Sequence, residues 1–143
     1  MLYFDTSFLA PLIVREPTSD DITAFVGRLP AEEFTVSHRT RLEFSSLVAR
    51  EARMGGLDAH TASRADARFE AVLDESFTVL LPNADDFRLA KRYLGRFETG
   101  LRAGDALHLA VAKNHHASII YSLDKTLLEA GRILGLPVSA GIR

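Results

Sequence analysis

Residues 118–139 read Ser118-Ile119-Ile120-Tyr121-Ser122-Leu123-Asp124-Lys125-Thr126-Leu127-Leu128-Glu129-Ala130-Gly131-Arg132-Ile133-Leu134-Gly135-Leu136-Pro137-Val138-Ser139. A short apolar run comes first and ends at an acid. An amphipathic stretch follows, with Leu127, Leu128, Gly131 and Leu134 on one stripe. Gly135 then suits a helix C-cap, and Pro137-Val138-Ser139 opens a second apolar run. Strand, helix and strand in this order form a parallel crossover unit, which is right-handed in nearly all proteins.

The same alternation extends towards the N-terminus. Leu2-Tyr3-Phe4, Phe34-Thr35-Val36 and Phe77-Thr78-Val79-Leu80-Leu81 are β-branched or aromatic runs without polar alternation, as in buried parallel strands. Helical periodicity lies between them. Ile22, Phe25, Val26 and Leu29 keep i, i+3, i+4, i+7 spacing after Thr18-Ser19-Asp20-Asp21. Phe87, Ala90, Leu94 and Phe97 make another stripe. Residues 38–54 and 58–74 read as two helices split at Gly55-Gly56, and 104–114 as a short buried helix. The expectation is an α/β domain of five mainly parallel strands with helices on both faces. The alternation spans residues 1–143 as a single domain.

Composition fits this reading. The chain has 143 residues, 47% of them hydrophobic and 25% charged, which excludes a disordered polyelectrolyte. It has no cysteine, so disulfides, zinc–thiolate and iron–sulfur sites and a thiol nucleophile are excluded. Lys and Arg number 17 against 19 Asp and Glu, a net charge of −2, so no overall basic field points to nucleic acid. The longest apolar runs, such as Phe8 to Val14, fall well short of the ~20 residues of a spanning helix. With no basic segment at the N-terminus, a cytoplasmic protein without membrane association is expected. Phe8, Leu9, Leu12, Ile13 and Val14 are expected in the core or on a dimer face.

Four acids stand where α/β sheets build sites. Asp5 and Asp124 follow the first and fourth strand runs. With a strand order of 3-2-1-4-5 these strands are neighbours at the switch point, and their terminal aspartates converge. Asp105 opens the helix leading into strand four, and Glu43 sits early in the helix after strand two. Taken singly, the aspartates also suit helix caps, and Glu43 suits an ion pair with Arg39 four residues before it. Taken together they imply more. Two carboxylates ~5 Å apart repel by about 3 kcal/mol at an effective dielectric near 20. A fold that gathers four needs a cation or a bound proton, and hard oxygen donors suit Mg²⁺ or Mn²⁺.

These pieces resemble one family. Tyr3-Phe4-Asp5-Thr6-Ser7-Phe8-Leu9, Thr40-Arg41-Leu42-Glu43, Leu101-Arg102-Ala103-Gly104-Asp105-Ala106-Leu107-His108-Leu109-Ala110 and the quoted C-terminal stretch resemble the PIN-domain nucleases. They are particularly similar to VapC-type toxins of bacterial toxin–antitoxin pairs. The resemblance covers essentially the whole chain. It implies a three-layer domain with about seven helices, and a metal-dependent endoribonuclease cutting RNA phosphodiester bonds. It implies that Asp5, Asp105 and Asp124 hold Mg²⁺ or Mn²⁺. Glu43 completes the catalytic acids, as a ligand or as the orienter of the attacking water. It implies that Thr6, Ser7 and Ser122 support the acids from behind, and that the protein forms a homodimer and meets a cognate antitoxin.

With the four acids set aside, 17 cations face 15 acids. Arg39, Arg41, Arg102 and Lys125 are the candidates to hold RNA phosphates. Arg50, Arg53, Arg64 and Arg68 alternate with Glu51, Asp58 and Asp66 and read as a solvated face. His108 is expected to pack or to hydrogen-bond behind the acids rather than to bind metal. His115 and His116 are expected at a helix C-terminus, not in a three-histidine metal site. The alternative function is a PIN-like module that binds RNA or protein without cutting. A phosphoaccepting receiver domain fails because Asp58 ends no strand. An Asp-x-Asp phosphatase fails because Ser7 stands two after Asp5.

Overall fold

The structure, a computed structural model, describes residues 1–142. Among these residues five strands are formed: β1 (Leu2–Phe4), β2 (Phe34–Ser37), β3 (Thr78–Leu80), β4 (Ile119–Tyr121) and β5 (Val138–Ser139). Seven α-helices lie among the described residues: α1 (Thr6–Leu9), α2 (Ser19–Val26), α3 (His38–Arg53), α4 (Ala59–Ser76), α5 (Ala84–Leu94), α6 (Ala103–Asn114) and α7 (Lys125–Ile133). Every strand pair is parallel, and the order is β3-β2-β1-β4-β5, as expected. Among the described residues, no helix is long and apolar enough to cross a membrane.

Side-chain alternation along β1 divides the core in two. Leu2 and Phe4 point to one face, where Phe8, Phe34, Val36, Phe44, Phe69 and Leu73 pack. Tyr3 points to the other, among Leu107, Leu109, Ala110, Val111, Ile120 and Leu127. α3 and α4 pair over the first face through Phe44 and Phe69, whose rings stack at 4.0 Å. α5, α6 and α7 cover the second, which completes the three layers. α6 is buried along nearly all its length, from Ala106 to Ala112, because it fills the layer between α5 and the sheet.

Two local features set how the last unit closes. Gly135 takes φ +72°, which turns the chain out of α7. A side chain at Gly131 would overlap Val138, so glycine is what lets α7 lie directly on β5.

One expected stripe packs only in part: Ala90 and Leu94 join the core, and Phe87 and Phe97 do not. α5 ends at Leu94, and Phe97 lies beyond it in a 3-10 turn, 88% exposed. Phe87 is exposed as well. The buried face of α5 instead runs through Asp86 and Ala90. Asp86 forms a capping box with Asn83, and its other oxygen accepts from Asn114 Nδ2 at 2.8 Å. An apolar stripe cannot reveal a face whose anchor is a fully bonded carboxylate.

A candidate acidic active site with a basic rim

β1 is central, and the strand order reverses between it and β4. The carboxyl ends of these two strands meet as expected at that point. Asp5 leaves β1 and caps α1, accepting from the Phe8 N–H at 3.3 Å. Asp124 follows β4 and caps α7, accepting from the Leu127 N–H at 3.1 Å. Asp105 is not a cap. Arg102 holds that position, and Asp105 points from the first turn of α6. Glu43 comes from the second turn of α3. All four line one cleft of about 580 Å³, together with Thr6, Ser7, Arg39, Ser46, Leu47, Arg50, Arg53 and Arg102.

Hydroxyls tie the two strand ends together. Ser7 Oγ donates to Asp5 Oδ1 at 2.7 Å and accepts from the Leu123 N–H at 3.0 Å. Ser122 Oγ lies 3.3 Å from Ser7 Oγ and accepts from the Asp124 N–H at 3.0 Å. Thr6 turns the other way and donates to Glu43 Oε1 at 2.7 Å. Glu43 Oε1 also meets His108 Nε2 at 2.5 Å, and Arg39 Nε stands 3.4 Å from Oε2. A side chain at Gly104 would overlap the Arg39 guanidinium, so glycine there lets Arg39 lie across the start of α6.

The electrostatics follow from burial and crowding. Burial pushes the Asp5 carboxyl up from 3.8 to about 6. His108, Ser7 and Ser122 pull it down, and Asp105 adds to the rise. Asp105 is raised by burial first, then by Asp124 and Glu43. Burial also opposes ionisation of Glu43. The hydrogen bond and attraction of His108, with Thr6 and Arg39, outweigh it and hold Glu43 below its ordinary value. Glu43 is therefore the settled anion, while Asp5 and Asp105 are the strained ones.

Among the described residues, no three carboxylate or imidazole groups stand close enough to enclose an ion as they are. The donor chemistry nevertheless fits a hard divalent cation. Asp5, Asp105 and Asp124 offer only oxygen, come from three separate elements and face one cleft. The raised Asp5 and Asp105 carboxyls are what a cation would relieve.

The basic candidates divide. Arg39 and Arg102 line the cleft. Arg41 does not, because it pairs with Glu70 of α4 through Nη2 at 2.7 Å and Nε at 3.1 Å. Lys125 faces a neighbouring hollow with Glu129 and Arg132. Arg50 and Arg53, read from sequence as a solvated face, line the cleft instead and have no acidic partner among the described residues. The helical period carried the signal. From Glu43, positions 39, 46, 47, 50 and 53 share a face of α3, and 41 lies on the opposite side. His115 closes α6, its Nδ1 2.9 Å from the Val111 carbonyl oxygen. His108 is buried seven residues earlier, so the histidines form no common site.

The PIN domain family model matches residues 2–133. Solved structures with this fold include FitAcB from Neisseria gonorrhoeae, at 19% identity and TM-score 0.75, covering 96% of each chain. Mycobacterium tuberculosis VapC20, described as a sarcin-ricin loop cleaving toxin, is 23% identical at TM-score 0.70, covering 92% of this chain and 95% of its own. VapBC2 from Rickettsia felis, bound to a DNA fragment from its promoter, is 14% identical at TM-score 0.72, covering 97% and 98%. A search of curated protein sequences returned no match.

Proposed function

This chain belongs to the PIN domain family, and on that premise we propose that it is a divalent-metal-dependent endoribonuclease, the toxin of a VapBC-type pair. The supporting observation is the single cleft lined by Asp5, Glu43, Asp105 and Asp124 at the switch point of the sheet. The whole chain works as one domain in the cytoplasm, as a homodimer restrained by an antitoxin. Among the structural relatives named above, one is described as a sarcin-ricin loop cleaving toxin and another is VapBC2 bound to a DNA fragment from its promoter.

Asp5, Asp105 and Asp124 would hold Mg²⁺ or Mn²⁺, and a bound ion would supply activation of water and neutralisation of phosphoryl charge. Hydrolysis joins a water oxygen to phosphorus and breaks the bond to one ribose oxygen, which takes up a proton. The chain's own part is positional. Ser7 fixes the rotamer of Asp5, and Ser122 fixes Ser7 against the backbone of Asp124. Arg39 and Arg102 flank the acids and hold the phosphate that is cut. Arg50 and Arg53 lie about 10–15 Å along α3 from Glu43 at 1.5 Å per residue, and hold phosphates beyond it.

This arrangement separates chemistry from grip. Replacing Arg50 and Arg53 together by alanine raises KM for RNA and lowers the salt dependence of binding by about one phosphate contact each. The rate at saturating RNA stays near wild type. A lowered kcat with unchanged KM contradicts the assignment.

The activity itself is tested with a looped RNA substrate. Cleavage is expected with Mg²⁺ or Mn²⁺, absent with excess chelator and restored by returning the ion. Protein that binds the RNA in Mn²⁺ without cutting it supports the non-catalytic alternative.

A further inference from the structure

Tyr3 and His108 sit in the apolar layer between the sheet and α6, Tyr3 fully buried and His108 1% exposed. The apolar residues packed with Tyr3 in that layer are alanine, leucine, isoleucine and valine. An apolar pair would fill this space at lower desolvation cost, so the polar pair calls for an explanation. Tyr3 Oη meets His108 Nδ1 at 2.7 Å, and the rings pack edge-on at 5.8 Å. The opposite ring nitrogen, Nε2, faces Glu43 Oε1. Only a nitrogen bearing hydrogen can satisfy a carboxylate oxygen, so Nε2 is the protonated position.

Glu43 Oε1 thus receives two donors, His108 Nε2 and Thr6 Oγ1, and both its lone pairs are used. Glu43 Oε2 receives no hydrogen bond among the described residues and faces the cleft beside Arg39. Building on the nuclease reading, we propose that Tyr3 and His108 are positioning residues that saturate one oxygen of Glu43 and leave the other to accept a hydrogen bond from the attacking water. Glu43 then orients water and is not a metal ligand. The chain Tyr3–His108–Glu43 carries rigidity from the centre of β1 to the cleft without touching substrate. This is how groups one layer behind a metal site set the orientation of those that act.

The test combines kinetics, Mn²⁺ binding and ring-nitrogen NMR. Tyr3→Phe removes one hydroxyl, and His108→Leu removes the relay with an apolar side chain suited to its layer. Each is expected to lower kcat about 10- to 100-fold while KM for RNA and Mn²⁺ affinity stay within about twofold. In the His108→Leu background, Tyr3→Phe costs nothing more, because it acts only through the ring. His108→Gln, which restores an N–H towards Glu43, recovers much of the rate. Glu43→Gln lowers kcat and leaves Mn²⁺ affinity unchanged.

The histidine nitrogen shifts report the Nε2-protonated ring in the metal-free wild type, with no substrate present. An Nδ1-protonated ring overturns the pairing whether or not RNA is cut. Wild-type kcat in folded Tyr3→Phe and His108→Leu overturns the positioning role. Mn²⁺ affinity falling with kcat in Glu43→Gln makes Glu43 a ligand and overturns the division of labour. A wild-type protein that shows the Nε2-protonated ring but cuts no RNA refutes the nuclease reading and the water-orienting role together, and leaves the hydrogen-bonded pair standing.

Discussion

Asp5→Asn should abolish RNA cleavage and, at neutral pH, make the metal-free protein more stable. The loss follows from removing the most buried carboxylate of the proposed ion site. A metal's electrostatic contribution to such a displacement is several kcal/mol, so the rate falls by about three orders of magnitude. The gain in stability has a separate origin. Asp5 is 4% exposed, and its carboxyl is raised from 3.8 to about 6. A raised carboxyl favours the protonated form in the folded state. Its stabilising effect is therefore full below pH 3.8 and is lost as pH rises through 6. At 1.36 kcal/mol per pH unit, that interval corresponds to about 3 kcal/mol by pH 7. Asparagine carries no charge and keeps an oxygen to accept from Ser7 and the Phe8 N–H. Denaturant melts with chelator present at pH 4 and pH 7 should show wild type losing stability between them by more than the variant does. A variant that is inactive but equally pH-sensitive would place the burden on another carboxyl.

Mn²⁺ affinity should fall steeply in mild acid. An ion that binds Asp5 must displace its proton, so binding weakens as pH drops below about 6. For a single proton at that value, the affinity at pH 5 is about one tenth of that at pH 7. Asp105 is raised as well and steepens the fall. Calorimetric titrations at the two pH values measure this directly, and proton release appears as a dependence of the heat on the buffer. In Asp5→Asn the residual binding is weaker and less pH-dependent. An affinity constant between pH 5 and 7 would mean that the ion binds away from Asp5.

The sheet was legible because its strands are short apolar runs separated by marked helices, and because right-handed crossovers leave few orders open. The switch point then placed Asp5 beside Asp124 without coordinates. Phase was harder. The buried face of α5 is anchored by Asp86, a carboxylate that composition sends to the surface but whose bonds to Asn83 and Asn114 allow burial. The basic residues failed for a similar reason. Closeness in sequence suggested Arg41 and Lys125, yet two positions along a helix turn a side chain about 200° away, and Arg41 meets Glu70 there. Arg50 and Arg53 are two turns or more from Glu43 but return to its face. The Tyr3–His108–Glu43 chain joins residues 105 and 65 positions apart, and no local pattern announces such a pairing.

The central claim is that acids distant in the chain form one divalent-ion site, and paramagnetic broadening by Mn²⁺ tests it most directly. In a backbone amide spectrum at pH 7.5, substoichiometric Mn²⁺ should first erase the signals of Thr6, Ser7, Gly104, Asp105, Leu123 and Lys125. These are the amides nearest the proposed ligands in sequence, from three separate elements. Broadening that begins elsewhere, or none at millimolar Mn²⁺, would contradict it.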